Sequence, residues 1–166
     1  MTKIRKMNIL LAGSTGTIGR ALLKEVSKKD FNIICPIRKS PKNERIIMES
    51  ENSVEFFFAD VCNAESFEKF IKKLRKVDII ISCLGSRNGT IKESEEVEYL
   101  ANMNLLNICE TFNVKQFILL SAICLQKPQL LFQTCKLRFE EKLKNSGVEY
   151  TIIRPTAFFK SLSGQI

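Results

Sequence analysis

The 166-residue chain contains no histidine. That excludes every scheme built on a Ser-His-Asp or Cys-His arrangement and leaves proton transfer to Lys, Tyr, Cys, carboxylates or water. Its cysteines, at positions 35, 62, 83, 109, 124 and 135, form no Cys-x-x-Cys pair, so the close ligand spacing of a zinc site is missing. Several fall in apolar segments and read as small buried hydrophobes in a reducing compartment, and no metal is expected. No apolar run approaches the ~20 residues that a membrane span needs, although peripheral membrane contact stays open. The basic opening Met1-Thr-Lys-Ile-Arg-Lys6 is followed by an apolar run too short for a signal peptide. Internal repeats, low-complexity tracts and linkers are also absent. With 45% apolar and 27% charged residues, the expectation is one soluble domain with a sizeable core, in the cytoplasm or a plastid. The net charge of +8 points to anionic partners. Its lysines are spread over helices rather than gathered among aromatics, so solvated helix faces are expected and a nucleic-acid partner is not.

Against these absences stands one dense stretch, residues 8–20. Ile9, Leu10, Leu11 and Ala12 form the short apolar run of a strand buried on both faces. Gly13, Gly16 and Gly19 follow directly, and an amphipathic helix pattern starts among them. In such a strand–glycine–helix unit the first glycine makes the tight turn and the second admits a pyrophosphate close to the backbone. The third lets helix and strand pack closely, and the helix N-terminus presents free N–H groups to phosphate. Gly13, Thr15, Gly16, Thr17, Ile18 and Gly19 are the candidate pyrophosphate cradle.

Further strands are expected over 31–37, 54–59, 77–84, 116–120 and 150–153. Helices are expected from Gly19 to Val26, from Phe67 to Leu74, from Val97 to Phe112, and over 130–143. Strands alternating with helices predict an α/β Rossmann fold, a doubly wound parallel sheet with helices on both faces. On the long helix Asn104 is the polar member of an apolar face and needs a hydrogen-bond partner. The second strand lacks the terminal carboxylate that binds a ribose 2′-hydroxyl, and Arg38-Lys39 stand there instead. Arg38 suits a 2′-phosphate, which makes NADPH the expected cofactor; the alternative is a pair of surface cations. Asp60 and Val61 close the third strand, where Asp60 also suits a helix N-cap.

The Gly-x-x-Gly-x-x-Gly spacing resembles that of extended and atypical short-chain dehydrogenase/reductases. In that family an Asp at the place of Asp60 contacts adenine, with Val61 framing it. Ser121 follows the fifth strand where the family carries its catalytic Ser or Thr, and Lys136 stands where it has Tyr-x-x-x-Lys. This chain reads Phe132-Gln-Thr-Cys-Lys136: the ribose-holding lysine is present and the tyrosine that protonates a carbonyl oxygen is not. Arg154-Pro155-Thr156 matches the segment that lies against the nicotinamide. The strings Ser82-Cys-Leu-Gly-Ser-Arg87, Phe117 through Pro128, Phe132 through Glu140 and Ile153 through Gly164 resemble those of the divinyl chlorophyllide a 8-vinyl reductases, NmrA-like members of the atypical group. This resemblance implies NADPH-dependent reduction of a vinyl group on a tetrapyrrole to ethyl, in chlorophyll biosynthesis. Ser121 and Lys136 would be the catalytic residues, and Arg38, Asp60, Val61, Lys136, Arg154 and Pro155 would join the glycine loop on the cofactor. The missing tyrosine also fits a non-catalytic redox sensor or photosynthetic-complex assembly factor. Chains of that family continue well past position 166, so residues 1–166 are expected to be one NAD(P)-binding domain with most of the substrate lobe missing.

Overall fold

Ile9 and Leu11 point to one side of the first strand and Leu10 and Ala12 to the other, and all four are buried. That alternation requires a layer on each face of the sheet. The computed structural model, which describes residues 5–48 and 53–156, supplies both layers. Residues 1–4 of the basic opening and residues 157–164 of the last family-like string lie outside the described residues. The strands are β1 (Met7–Ala12), β2 (Phe31–Ile37), β3 (Val54–Phe58), β4 (Ile79–Ser82), β5 (Gln116–Leu120) and β6 (Tyr150–Ile153). They form one sheet in the order β3-β2-β1-β4-β5-β6, with every pairing parallel. This is the doubly wound arrangement expected, and its order reverses between β1 and β4, where a crevice opens at the carboxyl ends of the strands.

One face carries Ile9, Leu11, Ile33, Cys35, Ile37 and Ile81, packed against Leu22, Leu23 and Val26 of α1 (Thr17–Val26) and Ile47 of α2 (Pro41–Met48). The other carries Leu10, Ala12, Ile34, Ile80, Phe117 and Leu119. These meet Phe67 and Phe70 of α3 (Ala64–Ile71), Leu105 and Ile108 of the long helix, and Phe139 and Leu143 of α6 (Leu131–Lys144). The long helix runs without a break through a short α4 (Ile91–Glu93), a π-helical segment (Ser94–Leu100) and α5 (Ala101–Phe112), with helical dihedrals at both junctions.

Three details depart from the sequence pattern. Residues 41–48 carry no element in that pattern, yet α2 lies there. Ser40 caps it by accepting the Asn43 N–H at 3.2 Å, and Pro41 takes the first helical position, where a missing N–H costs nothing. The cap of α3 is Asn63, whose side chain accepts the Ser66 N–H at 2.8 Å; Asp60 instead turns back to accept the Cys62 N–H at 3.0 Å. The long helix starts at Ile91 rather than Val97, with Thr90 as its cap. Among the described residues no helix is long and apolar enough to cross a membrane.

Candidate functional site

The crevice between β1 and β4 belongs to a continuous cleft of about 1370 Å³ that also runs along α1 past Lys24, Ser27, Lys42 and Val54. Its walls include Thr15 to Ile18, the 83–89 stretch after β4, Leu120 to Ala122 after β5, and Leu130, Leu131, Phe132 and Lys136 around the start of α6, with Glu98 behind. At one end lies the glycine turn. Gly13 has φ +81°, and a Cβ there would lie 2.5 Å from the carbonyl oxygen of Cys83. A Cβ on Gly19 would collide with the Gly13 carbonyl oxygen and lie 2.7 Å from its carbon. Both neighbours are backbone and cannot yield, so glycine is required at both positions. Gly16 donates its N–H to the Gly13 oxygen at 3.0 Å, and as the residue before α1 it brings no side-chain cap. The first N–H groups of α1 therefore face the cleft without a capping side chain, at the positive end of the helix dipole. These are the features a dinucleotide pyrophosphate requires, and Thr15, Gly16, Thr17 and Ile18 line the same wall.

At the other end, α6 places Lys136 and Phe132 one helical turn apart on the cleft side. The α6 N-terminus is fixed by Gln133, whose side-chain oxygen accepts the Gln129 and Leu130 N–H groups at 2.9 and 3.0 Å. Lys136 is buried; its ammonium pairs with Glu98 at 2.7 Å and donates to the Leu84 and Leu120 carbonyls at 3.4 Å each. The second Glu98 oxygen accepts both the N–H and the hydroxyl of Ser86, each at 2.7 Å. Cys83 also lines the cleft, and burial pushes its thiol up to about 11 against the lowering charge of Lys136.

Ser121 lines the cleft too, but its hydroxyl is engaged, donating to Glu140 at 2.6 Å. Arg154 donates Nε to the same carboxyl oxygen at 3.0 Å and grips the second through Nη2. Burial raises the Glu140 pKa, but the hydrogen bonds from Arg154 and Ser121 and the charges of Arg154 and Lys144 outweigh it. The net position is below the usual carboxylate value. The Pro155 carbonyl accepts the Ile123 N–H at 3.1 Å, continuing the β5–β6 pairing. Thus Ser121, Arg154 and Pro155 come together, with Arg154 held behind Ser121 by a carboxylate.

Arg38, Asp60 and Val61 sit at the carboxyl ends of β2 and β3. Arg38 is exposed, and its field reaches the Glu93 carboxyl, which the Arg87 and Asn88 N–H groups chiefly hold below the usual range. The Val61 side chain is buried in the core, and its carbonyl accepts from Asn104 at 2.8 Å, which is the partner that Asn104 needs. The more deeply buried polar residue on that helix is Asn102, which accepts from Ser82 at 2.5 Å and donates to the Glu98 carbonyl at 2.9 Å. Glu98, Asn102 and Glu140 carry no motif. Glu140 does leave a trace, four residues from both Lys136 and Lys144 on α6, which places the three along one stripe.

A family described as NAD(P)H-binding matches residues 13–165, from the first glycine of the cradle to the end of the segment after β6. The chain belongs to this family. It is 43% identical, over 98% of its length, to the divinyl chlorophyllide a 8-vinyl-reductase, chloroplastic, of Arabidopsis thaliana, and covers 42% of that protein. It is 27% identical, over 96% of its length, to the photosystem II assembly factor Ycf39 of Cyanophora paradoxa, of which it covers 48%. The chain thus spans less than half the length of these relatives. Among solved structures it resembles the oxidoreductase ylbE of Lactococcus lactis, with a TM-score of 0.75 and 30% identity, covering 91% of this chain and 69% of that one.

Proposed function

We propose that the chain is the cofactor half of an NADPH-dependent reductase that saturates the 8-vinyl group of a divinyl tetrapyrrole. The observation that carries this reading is the pairing of Lys136 with Phe132 at the end of the cleft opposite the glycine cradle. A carbonyl acceptor placed there would need an acid at its oxygen, and a phenyl ring has none to give. A vinyl group conjugated to a macrocycle needs only hydride at its terminal carbon. The charge spreads over the ring system, and a weak acid or water then quenches it. The bound dinucleotide supplies the hydride. Gly13, Thr15, Gly16, Thr17, Ile18 and Gly19 would hold its pyrophosphate, Asp60 and the Val61 backbone the adenine, and Arg38 the 2′-phosphate. Lys136 would hold the nicotinamide ribose, and Ser121 would line the wall beside the ring, with Arg154 and Pro155 behind it. Similarity to the Arabidopsis reductase over nearly the whole chain supports the substrate class, and the chloroplast location in that protein's name supports a plastid site.

The test is to incubate the protein with NADPH and divinyl chlorophyllide and follow the pigment by mass. Gain of two hydrogens with one NADPH consumed is the expected result. A second reading, a dinucleotide-binding assembly factor without turnover, is supported by the same Phe132 and by the similarity to Ycf39. Under it the chain binds dinucleotide and leaves the pigment unchanged even when joined to the part of the Arabidopsis reductase that it does not span.

A further inference from the structure

Glu98 has no place in the sequence motifs, yet its carboxylate ties together several parts of the cleft wall. It is 2% exposed and sits in the π-helical segment Ser94–Leu100, a rare geometry that tends to occur at functional positions. One oxygen meets the Lys136 ammonium at 2.7 Å, and the other takes the N–H and hydroxyl of Ser86, which belongs to the loop after β4. A single carboxylate therefore joins three elements: the π-helical segment, the loop 85–89 and α6. The segment is itself pinned, since Asn102 bonds the Glu98 carbonyl at 2.9 Å and ties it to Ser82 at the end of β4.

A buried ion pair is a poor source of stability, because two charges must leave water to form it. Its use here is geometric. The ammonium has three hydrogens, and the two contacts to Leu84 and Leu120 are long at 3.4 Å, whereas the ion pair is short. The two long contacts are the ones a pair of ribose hydroxyls would displace, leaving Glu98 as the fixed tether. We infer that Glu98 is the positioning residue of Lys136, holding its ammonium at the nicotinamide end of the cleft and locking the loop 85–89 to the same point. This rests on the dinucleotide reading given above and adds the residue that sets the geometry of its lysine.

The experiment is a double-substitution cycle read by NADPH titration, with thermal unfolding of each variant recorded without ligand. Glu98→Gln keeps the shape and can still accept from Ser86, but it loses the charge that fixes the lysine. It is expected to weaken NADPH about tenfold, as loss of one charge-assisted contact does. In a Lys136→Met background the same change is expected to weaken NADPH by less than about twofold, because there is no ammonium left to place. Ser86→Ala, which leaves the ion pair intact, is the second variant and serves if Glu98→Gln does not fold. It is expected to cost about threefold with Lys136 present and nothing without it. Full additivity of these changes with Lys136→Met, or unchanged affinity in the folded single variants, would overturn the positioning role while leaving the cofactor reading intact. Failure of the unsubstituted chain to bind any dinucleotide would overturn the cofactor reading, and this inference with it.

Discussion

Replacing Glu140 by glutamine probes how the wall behind Ser121 is held. The carboxylate is fully buried and receives Ser121 Oγ at 2.6 Å, Arg154 Nε at 3.0 Å and Arg154 Nη2, with Lys144 at 3.8 Å. Glutamine can still accept one bond but cannot answer the guanidinium fork. Breaking a buried pair outright costs about 3–5 kcal/mol, and hydrogen bonds to charged groups contribute about 1.5–3 kcal/mol each. The Arg154 side chain is 30% exposed, so water recovers part of what it loses, and a net cost of about 2–3 kcal/mol is expected. With a urea slope of about 2 kcal/mol/M, the unfolding midpoint should fall by about 1 M at pH 7. The pH dependence follows from the depressed pKa of Glu140 in the folded state. Stability from this carboxylate is complete above the unfolded value of about 4.3 and is lost as the pH falls through the lower folded value. The gap between the two proteins should therefore close in that acid window and stay constant from pH 6 to 8. A midpoint within experimental error of the unsubstituted protein at pH 7 would refute the reasoning, as would a gap that widened on acidification.

Gly19→Ala sets helix propensity against a backbone clash: alanine gains about 1 kcal/mol in a helix, but overpacking against the Gly13 carbonyl costs about 1–3 kcal/mol. The clash outweighs the gain because the added carbon meets backbone that cannot yield, so a clear loss of stability is expected, together with a loss of dinucleotide binding as the turn shifts. Gly85→Ala, with no protein atom within 4 Å of the added carbon, should leave the urea midpoint unchanged. Asn102→Ala leaves the buried Ser82 hydroxyl without its 2.5 Å acceptor and should cost about 1–3 kcal/mol in urea unfolding. Arg38→Ala should remove preference for the 2′-phosphorylated forms, raising the NADPH dissociation constant about tenfold or more while leaving NADH unchanged.

The fold was legible because each strand is short, apolar and followed by a helical period. Ile9 to Ala12 and Ile33 to Ile37 announce burial on two faces, and the structure pairs them in register. The glycine cradle was legible for a similar reason, since backbone crowding leaves glycine as the residue that fits at positions 13 and 19. The polar interior was less legible. Glu98 and Asn102 keep α-helical spacing with the buried Ala101, Leu105 and Cys109, but a face traced by its apolar residues picks out Asn104, which is half-buried, and passes over these two, which face inward. Glu140 reads as an exposed charge on a lysine-rich helix until Ser121 and Arg154 are brought to it by β5 and β6. Helix α2 is missed because Arg38 to Pro41 carries both a ligand signal and a helix start, Ser40 followed by Pro41.

The most direct measurement is a calorimetric titration of the purified chain with NADPH, NADP⁺, NADH and NAD⁺ in the same buffer. Binding with clear preference for the phosphorylated forms, NADPH tightest, is the predicted result. Equal affinity for the two oxidised dinucleotides with weaker binding of NADPH would contradict the reductase reading and the role given to Arg38.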